Sequence, residues 1–280
     1  MTFLVTAVRL SVDRNSGMGD SEQHSAPSTI RAVTGEVFLG LKNLFLPAFC
    51  RKCGVRILTE ENIYFCRECW STIELVTEPK CPRCGRPHSR RVGFEPIENF
   101  MCSECSAQKL WSDSVHAAGL HADVLRDAVH LLKFKKKRLI AAPLARLLLD
   151  GVRGEMDFGS YDVFVTVPLH RNRVKERGYN QVELIAEQLC QHVPELKLQP
   201  ALRRVKDTPS FSLLRAQERH ELIRNAFQVA PDANIKGKKV LLLDDVLTTG
   251  ATSNECARVL RRAGAQAVDV IALAVARRLD

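Results

Sequence analysis

Residues 240–252, VLLLDDVLTTGAT, narrow the possible folds of this chain more than any other stretch. Val240 to Leu243 are four apolar residues in a row, as in a short strand buried on both faces of a parallel sheet. Asp244 and Asp245 follow at its carboxyl end, where open α/β sheets bind ligands. Leu247, Thr248, Thr249, Gly250, Ala251 and Thr252 then turn the chain toward a helix. Free backbone N–H groups and the helix dipole make such a turn an anion site. Paired acids beside an anion cradle suit a sugar phosphate: carboxylates accept hydrogen bonds from hydroxyls while amides hold the phosphate. The competing reading is an acidic helix N-cap followed by an ordinary turn. Neither GxxxxGKS/T nor GxGxxG occurs, so the common nucleotide loops do not compete.

The front of the chain is governed by sulfur. Eight of ten cysteines form four CxxC pairs: Cys50/Cys53, Cys66/Cys69, Cys81/Cys84 and Cys102/Cys105. A two-residue spacer lets both thiolates of a pair converge on one tetrahedral ion, so four pairs imply two four-cysteine zinc sites. Cys50-Arg-Lys-Cys53-Gly54 returns as Cys81-Pro-Arg-Cys84-Gly85, an internal repeat. Two zinc ribbons in series are expected, with an interleaved pairing as the alternative. Closed four-thiolate sites are structural, and so short a segment gains its folding energy from the metal. Each zinc-loaded group of four thiolates carries a net charge of about −2, which opposes any grip on phosphate by this module. The ribbons are therefore expected to brace the second domain or cover its active site. Cys190 and Cys256 fall in expected helices and read as core residues.

A chain of 280 residues has room for one α/β domain and a smaller module. The expected division is a disordered leader at 1–40, a double zinc ribbon at 41–110 and an α/β domain at 111–280. No apolar run reaches membrane-spanning length. Residues 1–30 lack a signal-peptide arrangement, which leads to an expected cytoplasmic location. The net charge of +9 resides mainly beyond residue 106. It permits an anionic partner such as nucleic acid without requiring one. Aromatic content is 6%, and both tryptophans, Trp70 and Trp111, lie in or beside the ribbons, leaving little equipment for base stacking.

From about Ser112 the pattern alternates strand and helix. Residues 115–120 read as a short strand weakened by alanines. Val124, Leu125, Ala128, Val129, Leu131 and Leu132 recur at helical spacing and end in the basic run 133–138. Pro143 opens a further helix, and 161–169 read as the next strand. Residues 170–181 then read as a basic, glycine-containing loop carrying Arg171, Arg173, Lys175, Arg177, Gly178 and Asn180, a second natural anion site. An amphipathic helix from Val182, the strand at 240–243, a helix to about Ala263 and a strand at 268–275 complete the reading. Repeated βα units point to a doubly wound parallel sheet.

The string 240–252 resembles the phosphoribosyl-pyrophosphate (PRPP) loop of type I phosphoribosyltransferases. Four CxxC pairs, Leu132-Lys133-Phe134, Val167-Pro168-Leu169 and Arg177-Gly178-Tyr179-Asn180-Gln181 together resemble the ComF family. That family is phosphoribosyltransferase-like and, in some bacteria, linked to DNA uptake during competence. The resemblance runs from roughly Pro47 to the C-terminus. It implies that Asp244 and Asp245 hold the ribose hydroxyls and that Leu247, Thr248, Thr249, Gly250, Ala251 and Thr252 wrap the 5′-phosphate. Arg171, Arg173, Arg177, Gly178, Asn180 and Arg204 would meet the rest of the substrate, with Mg²⁺ accompanying PRPP. The implied activity transfers ribose 5-phosphate to a nitrogen nucleophile and releases pyrophosphate. The alternative is a non-catalytic PRPP- or single-stranded-DNA-binding protein working with the competence machinery. Phe211 and Leu222 stand where the family usually has Gln and Asn, and 203–219 is the expected mobile hood.

Overall fold

A computed structural model describes residues 47–58, 61–88, 100–107, 109–208 and 221–277. The expected leader, the first residues of the expected ribbon and 209–220 of the hood, including Phe211 and Arg219, lie outside them. From Ala48 onward the described residues belong to one unit.

The ribbon segment contributes β1 (Ala48–Phe49) and β2 (Arg56–Ile57), paired antiparallel, and two one-turn helices, α1 (Arg67–Ser71) and α2 (Ser103–Ala107). Next come β3 (Val115–Leu120), α3 (Asp123–Phe134), α4 (Ala141–Val152) and β4 (Val163–Thr166). They are followed by α5 (Arg171–Arg177), α6 (Gln181–His192), β5 (Leu202–Arg204) and β6 (Phe227–Val229). The chain closes with β7 (Lys239–Leu247), α7 (Ala251–Arg262) and β8 (Ala267–Val275). Among the described residues, β3, β8, β7 and β4 form one sheet in that order, parallel throughout.

The strands are apolar on both faces because both faces are covered. Leu241, Leu243, Ile271 and Leu273 pack against Leu125 and Leu132 of α3, Leu144 and Leu148 of α4, and Ile185 and Leu189 of α6. Val240, Leu242, Val268 and Val270 point the other way, onto Cys256, Ala257 and Leu260 of α7 and onto Leu202 and Phe227 of β5 and β6. Each fully buried side chain of this size contributes about 1.5–3 kcal/mol. The alternation of period two in β7 sends successive leucines to opposite cores, and Asp244 and Asp245 follow within the same strand, just past Leu243, the last residue paired with β4.

Both sheet edges are closed. Residues 74–76, between the two cysteine groups, run antiparallel along β3, with Val76 N–H donating to Ala118 O at 2.9 Å and Leu120 N–H to Glu74 O at 2.8 Å. Beside β4, Phe164 N–H donates to Lys197 O and Gln199 N–H to Phe164 O. Such cover removes a free strand edge that would otherwise recruit another chain. A polar chain also ties the ribbon to the sheet: Lys80 pairs with Glu155, Glu155 lies 2.6 Å from His116 Nδ1, and His116 Nε2 lies 3.1 Å from Ser114 Oγ. Ser114 Oγ donates to Asp269.

Three expectations change. The basic loop at 170–181 is largely helix α5: nothing between Arg171 and Arg177 breaks a helix, and Gly178, left-handed at φ 86°, is its C-cap. The strand expected over 161–169 shrinks to β4, since Pro168 has no N–H to donate and restricts Val167 before it. The start of the expected hood is ordered, as Leu202, Arg203 and Arg204 pair with Val229, Gln228 and Phe227.

Candidate active site and metal centres

The four CxxC pairs converge in series, not interleaved. Cys50, Cys53, Cys66 and Cys69 form one group, and Cys81, Cys84, Cys102 and Cys105 the other, with all sulfurs of a group within 4.8 Å of one another. Cys53 Sγ lies 3.7 Å from Cys66 Sγ, and Cys84 Sγ lies 3.8 Å from Cys102 Sγ. A tetrahedron with Zn–S bonds of about 2.3 Å has edges of about 3.8 Å, so the spacing fits zinc and is far too long for a disulfide. Backbone N–H groups support the sulfurs, Cys69 N–H reaching Cys66 Sγ and Cys102 N–H reaching Cys81 Sγ, both at 3.4 Å.

The thiols of each group are electrostatically unequal. Burial opposes ionisation of Cys50, but the N–H groups of Cys53, Cys66 and Lys52 outweigh it and bring its pKa to about 6. The same balance brings Cys81 to about 7. Burial and neighbouring sulfurs push Cys69 and Cys84 up to about 12. One thiolate forms readily and the last resists, a conflict that a divalent cation removes.

At the opposite end of the sequence, Asp244 and Asp245 are buried, each 6% exposed, in the wall of a cleft of about 340 Å³. Their environments differ. Asp245 receives Lys133 Nζ at 2.8 Å and a hydrogen bond from Gln181 Nε2. Burial would raise its pKa, but the charge and hydrogen bond of Lys133 prevail and hold it low. Asp244 accepts the N–H of Asp245 at 2.8 Å. Burial, and then the charge of Asp245, push it up to about 7. The acid pair therefore holds one firm carboxylate and one that titrates near neutrality.

Beyond the acids, Thr248, Thr249, Gly250, Ala251 and Thr252 surround a small pocket that Asp244, Val246 and Leu247 complete. Gly250 is left-handed at φ 73° and caps the 12-residue helix α7, and as a glycine it offers no side-chain acceptor to the first turn. Thr249 Oγ1 makes a long contact of 3.4 Å with the Ala251 N–H, and the first turn of α7 otherwise opens on this pocket. The same cleft is lined by Arg173, Arg177 and Arg204. Arg177 donates to Gln181, which donates to Asp245, linking that arginine to the acid pair. Arg204 reaches Thr208 and stacks 5.4 Å from the Phe227 ring.

Leu247, Thr249, Gly250 and Ala251 line the small pocket and not the cleft, and three expected site residues line neither. Arg171 and Gly178 are exposed on α5 and at its cap. Asn180 is buried and committed to structure: its side chain accepts Val182 N–H and donates to Val167 O. The cleft instead adds Lys133, Gln181, His121, His170, Asp207 and Thr208. Two of these left a trace in the sequence. Lys133 follows Leu125 and Val129 at steps of four, and Gln181 precedes Ile185 and Leu189 at the same steps. A polar residue on an otherwise apolar helical stripe must be satisfied from inside the fold.

Fold and site together define a phosphoribosyltransferase-like protein carrying a double zinc ribbon. Residues 41–106 match the double zinc ribbon domain family, and residues 177–279 match the phosphoribosyl transferase domain family. The chain belongs to the ComF family. It is 30% identical over 220 residues to Competence protein F of Haemophilus influenzae, covering 75% of this chain and 96% of that one. It is 31% identical over 231 residues to DNA utilization protein YhgH of Escherichia coli K12, covering 81% and 96%. Competence protein ComFC of Streptococcus pneumoniae is 26% identical, covering 78% and 90%. Among the described residues no helix is long and apolar enough to cross a membrane.

Proposed function

We propose that the cleft binds PRPP with Mg²⁺ and transfers its ribose 5-phosphate to a nitrogen nucleophile in the cytoplasm. The carrying observation is the buried acid pair in a cleft that Thr248 and Thr252 of the glycine-capped α7 turn and Arg173 and Arg177 also line. Asp244 and Asp245 accept the ribose hydroxyls. The N–H groups of the turn at 248–252 hold the 5′-phosphate, and Arg173 and Arg177 face the pyrophosphate. The bond from the anomeric carbon to pyrophosphate breaks, and its electron pair leaves with pyrophosphate. The nitrogen lone pair forms the new bond, and the nitrogen's proton passes to solvent. Asp245 stays ionised beside the ring and favours positive charge developing there.

The cleft offers hard oxygen ligands but no complete cage: the metal-capable clusters among the described residues are the two cysteine groups. That suits Mg²⁺ arriving on PRPP with its own oxygens and waters, with Asp244 and Asp245 as the protein's contribution. When bound, Mg²⁺ supplies charge neutralisation for the pyrophosphate oxygens. The test is pyrophosphate release from PRPP in the presence of a panel of nucleobases and ammonia. Release that requires an acceptor and disappears in Asp244→Asn supports transfer. PRPP binding without release from any acceptor removes the catalytic half of the proposal.

A second reading rests on a different observation. Phe134 is 62% exposed at the cleft mouth, with the Arg177 guanidinium 5.4 Å from its ring centre and exposed Lys135, Lys136, Lys137 and Arg138 following it. An exposed ring among cations is how single-stranded nucleic acid is held without sequence preference. The names of the relatives, competence and DNA utilization, support the same direction. Binding of an oligonucleotide that weakens steeply with salt and drops in Phe134→Ala would support it.

A further inference from the structure

The phosphate turn has an outer face, and the second cysteine group grips it. Gly85 is left-handed at φ 67°, and a Cβ there would meet Val115 O at 2.6 Å. Only glycine lets the Cys81–Cys84 knuckle press this closely on β3. The next residue, Arg86, is thereby delivered to the turn. Its Nη2 donates to the carbonyl oxygen of Thr248, while its Nη1 lies 2.6 Å from Glu104 Oε2, between Cys102 and Cys105. The Arg86 side chain is 13% exposed. The ribbon also holds the start of α7, with Trp111 N–H donating to Asn254 Oδ1 at 2.8 Å and Asn254 Nδ2 to Lys109 O at 3.3 Å.

We propose that Arg86 is a positioning residue that sets the Thr248–Thr249 peptide, so that the second metal centre governs how well the turn at 248–252 holds a phosphate. A trans peptide points its C=O and the following N–H in opposite directions. Pinning Thr248 O outward onto Arg86 turns Thr249 N–H inward, toward the pocket that Thr249 lines. Charge reinforces the geometry. Cys84 and Cys105 line the space directly behind Thr249 and Gly250. A zinc-loaded group there adds about −2 behind a phosphate site; Arg83 and Arg86 both line this space, and of the two Arg86 is the one bonded to the turn. The inference rests on the phosphate assignment made above.

The test titrates ribose 5-phosphate and, separately, Mg²⁺-pyrophosphate into the full-length, zinc-loaded protein by calorimetry. Wild type, Arg86→Ala, Arg86→Lys and Glu104→Gln are compared, with zinc content and melting temperature measured for each. Arg86→Ala should weaken ribose 5-phosphate about tenfold, the loss of one charge-assisted hydrogen bond in a positioned loop. Pyrophosphate affinity should not change, because Arg173 and Arg177 belong to α5 and not to the turn that Arg86 holds. Zinc should remain at two per chain. Arg86→Lys should recover part of the affinity, and Glu104→Gln should lose about threefold while keeping the arginine. Unchanged ribose 5-phosphate affinity in Arg86→Ala overturns the inference, as does an equal loss of both ligands. Should Arg86→Ala fail to fold, Glu104→Gln decides by the same two-ligand comparison. A wild type that binds pyrophosphate but not ribose 5-phosphate sinks the phosphate assignment itself, a result distinct from failure of Arg86 alone.

Discussion

The two cysteine groups share a sequence repeat but not an environment. The first is built into the core: Cys50 and Cys66 are buried with Ile57, Tyr64 and Phe65 in the cluster that includes α3 and α4, and Trp70 packs 5.9 Å from Phe65. The second touches the turn beside the acid pair through Arg86 and lines the space behind Gly250. One knuckle ends in Gly54, where a Cβ would meet nothing within 4 Å; the other ends in Gly85, wedged against β3. The same motif can therefore supply stability at one end of a module and loop geometry at the other.

The strongest way to break this comparison is to remove one metal at a time. Cys66→Ser and Cys102→Ser should each lose one zinc per chain, and each centre contributes binding energy on the order of 10–16 kcal/mol to local folding. Cys66→Ser should lower the melting temperature more, because Ile57 and Phe65 leave the core with it. Cys102→Ser should reduce ribose 5-phosphate affinity more. Equal effects of the two variants on both readouts would erase the distinction.

A smaller effect is expected in the cleft. Lys133 is one-fifth exposed (21%) and neutralises a nearly buried Asp245. Lys133→Met should cost about 3 kcal/mol in urea unfolding, because it strands a buried carboxylate. A cost below about 0.5 kcal/mol, typical of a neutral surface change, would show that the pair is not what holds Asp245 ionised.

Asp244 sharpens the same contrast through pH. Its folded pKa of about 7 lies above the 3.8 of an unperturbed carboxyl, so folding takes up a proton between those values. Its contribution to stability is therefore full below pH 3.8 and is lost as pH rises to about 7. Under the proposed function ligand binding runs the other way, since a ribose and Mg²⁺ would call for the carboxylate. PRPP affinity should fall about tenfold per pH unit below 7 and level off above it. Calorimetry in buffers of different ionisation enthalpy should detect close to one proton released at pH 6. A flat profile from pH 5.5 to 8 would contradict the assignment. The smallest expected change is at Arg171: Arg171→Ala, on the exposed face of α5, should leave PRPP affinity within about twofold, against about tenfold for Arg177→Ala.

Much of this was legible in residue order. Val240 to Leu243 announced the buried strand, but the acid pair does not end it as expected: the strand continues to Leu247 because Val246 and Leu247 keep their places in the ladder with β8. The CxxC repeat favoured serial over interleaved pairing, and the placement of the eight thiols decides for the serial one. Helix α5 was hidden because Gly178 reads equally as a loop residue and as a helix cap. Long-range polar contacts left no periodic trace. Arg86 meets Thr248 across 162 positions, and nothing in Cys-Gly-Arg-Pro specifies the partner. Lys133 and Gln181 were nearer to discovery, as polar interruptions of apolar stripes whose reason became visible only once Asp245 lay between them.

The most direct measurement titrates PRPP into the zinc-loaded protein with and without Mg²⁺, beside the Asp244→Asn, Asp245→Asn double variant. Saturable one-to-one binding that needs Mg²⁺ and vanishes in the folded double variant is the expected result. Equal heats from the two proteins would contradict the assignment of the acid pair to ribose.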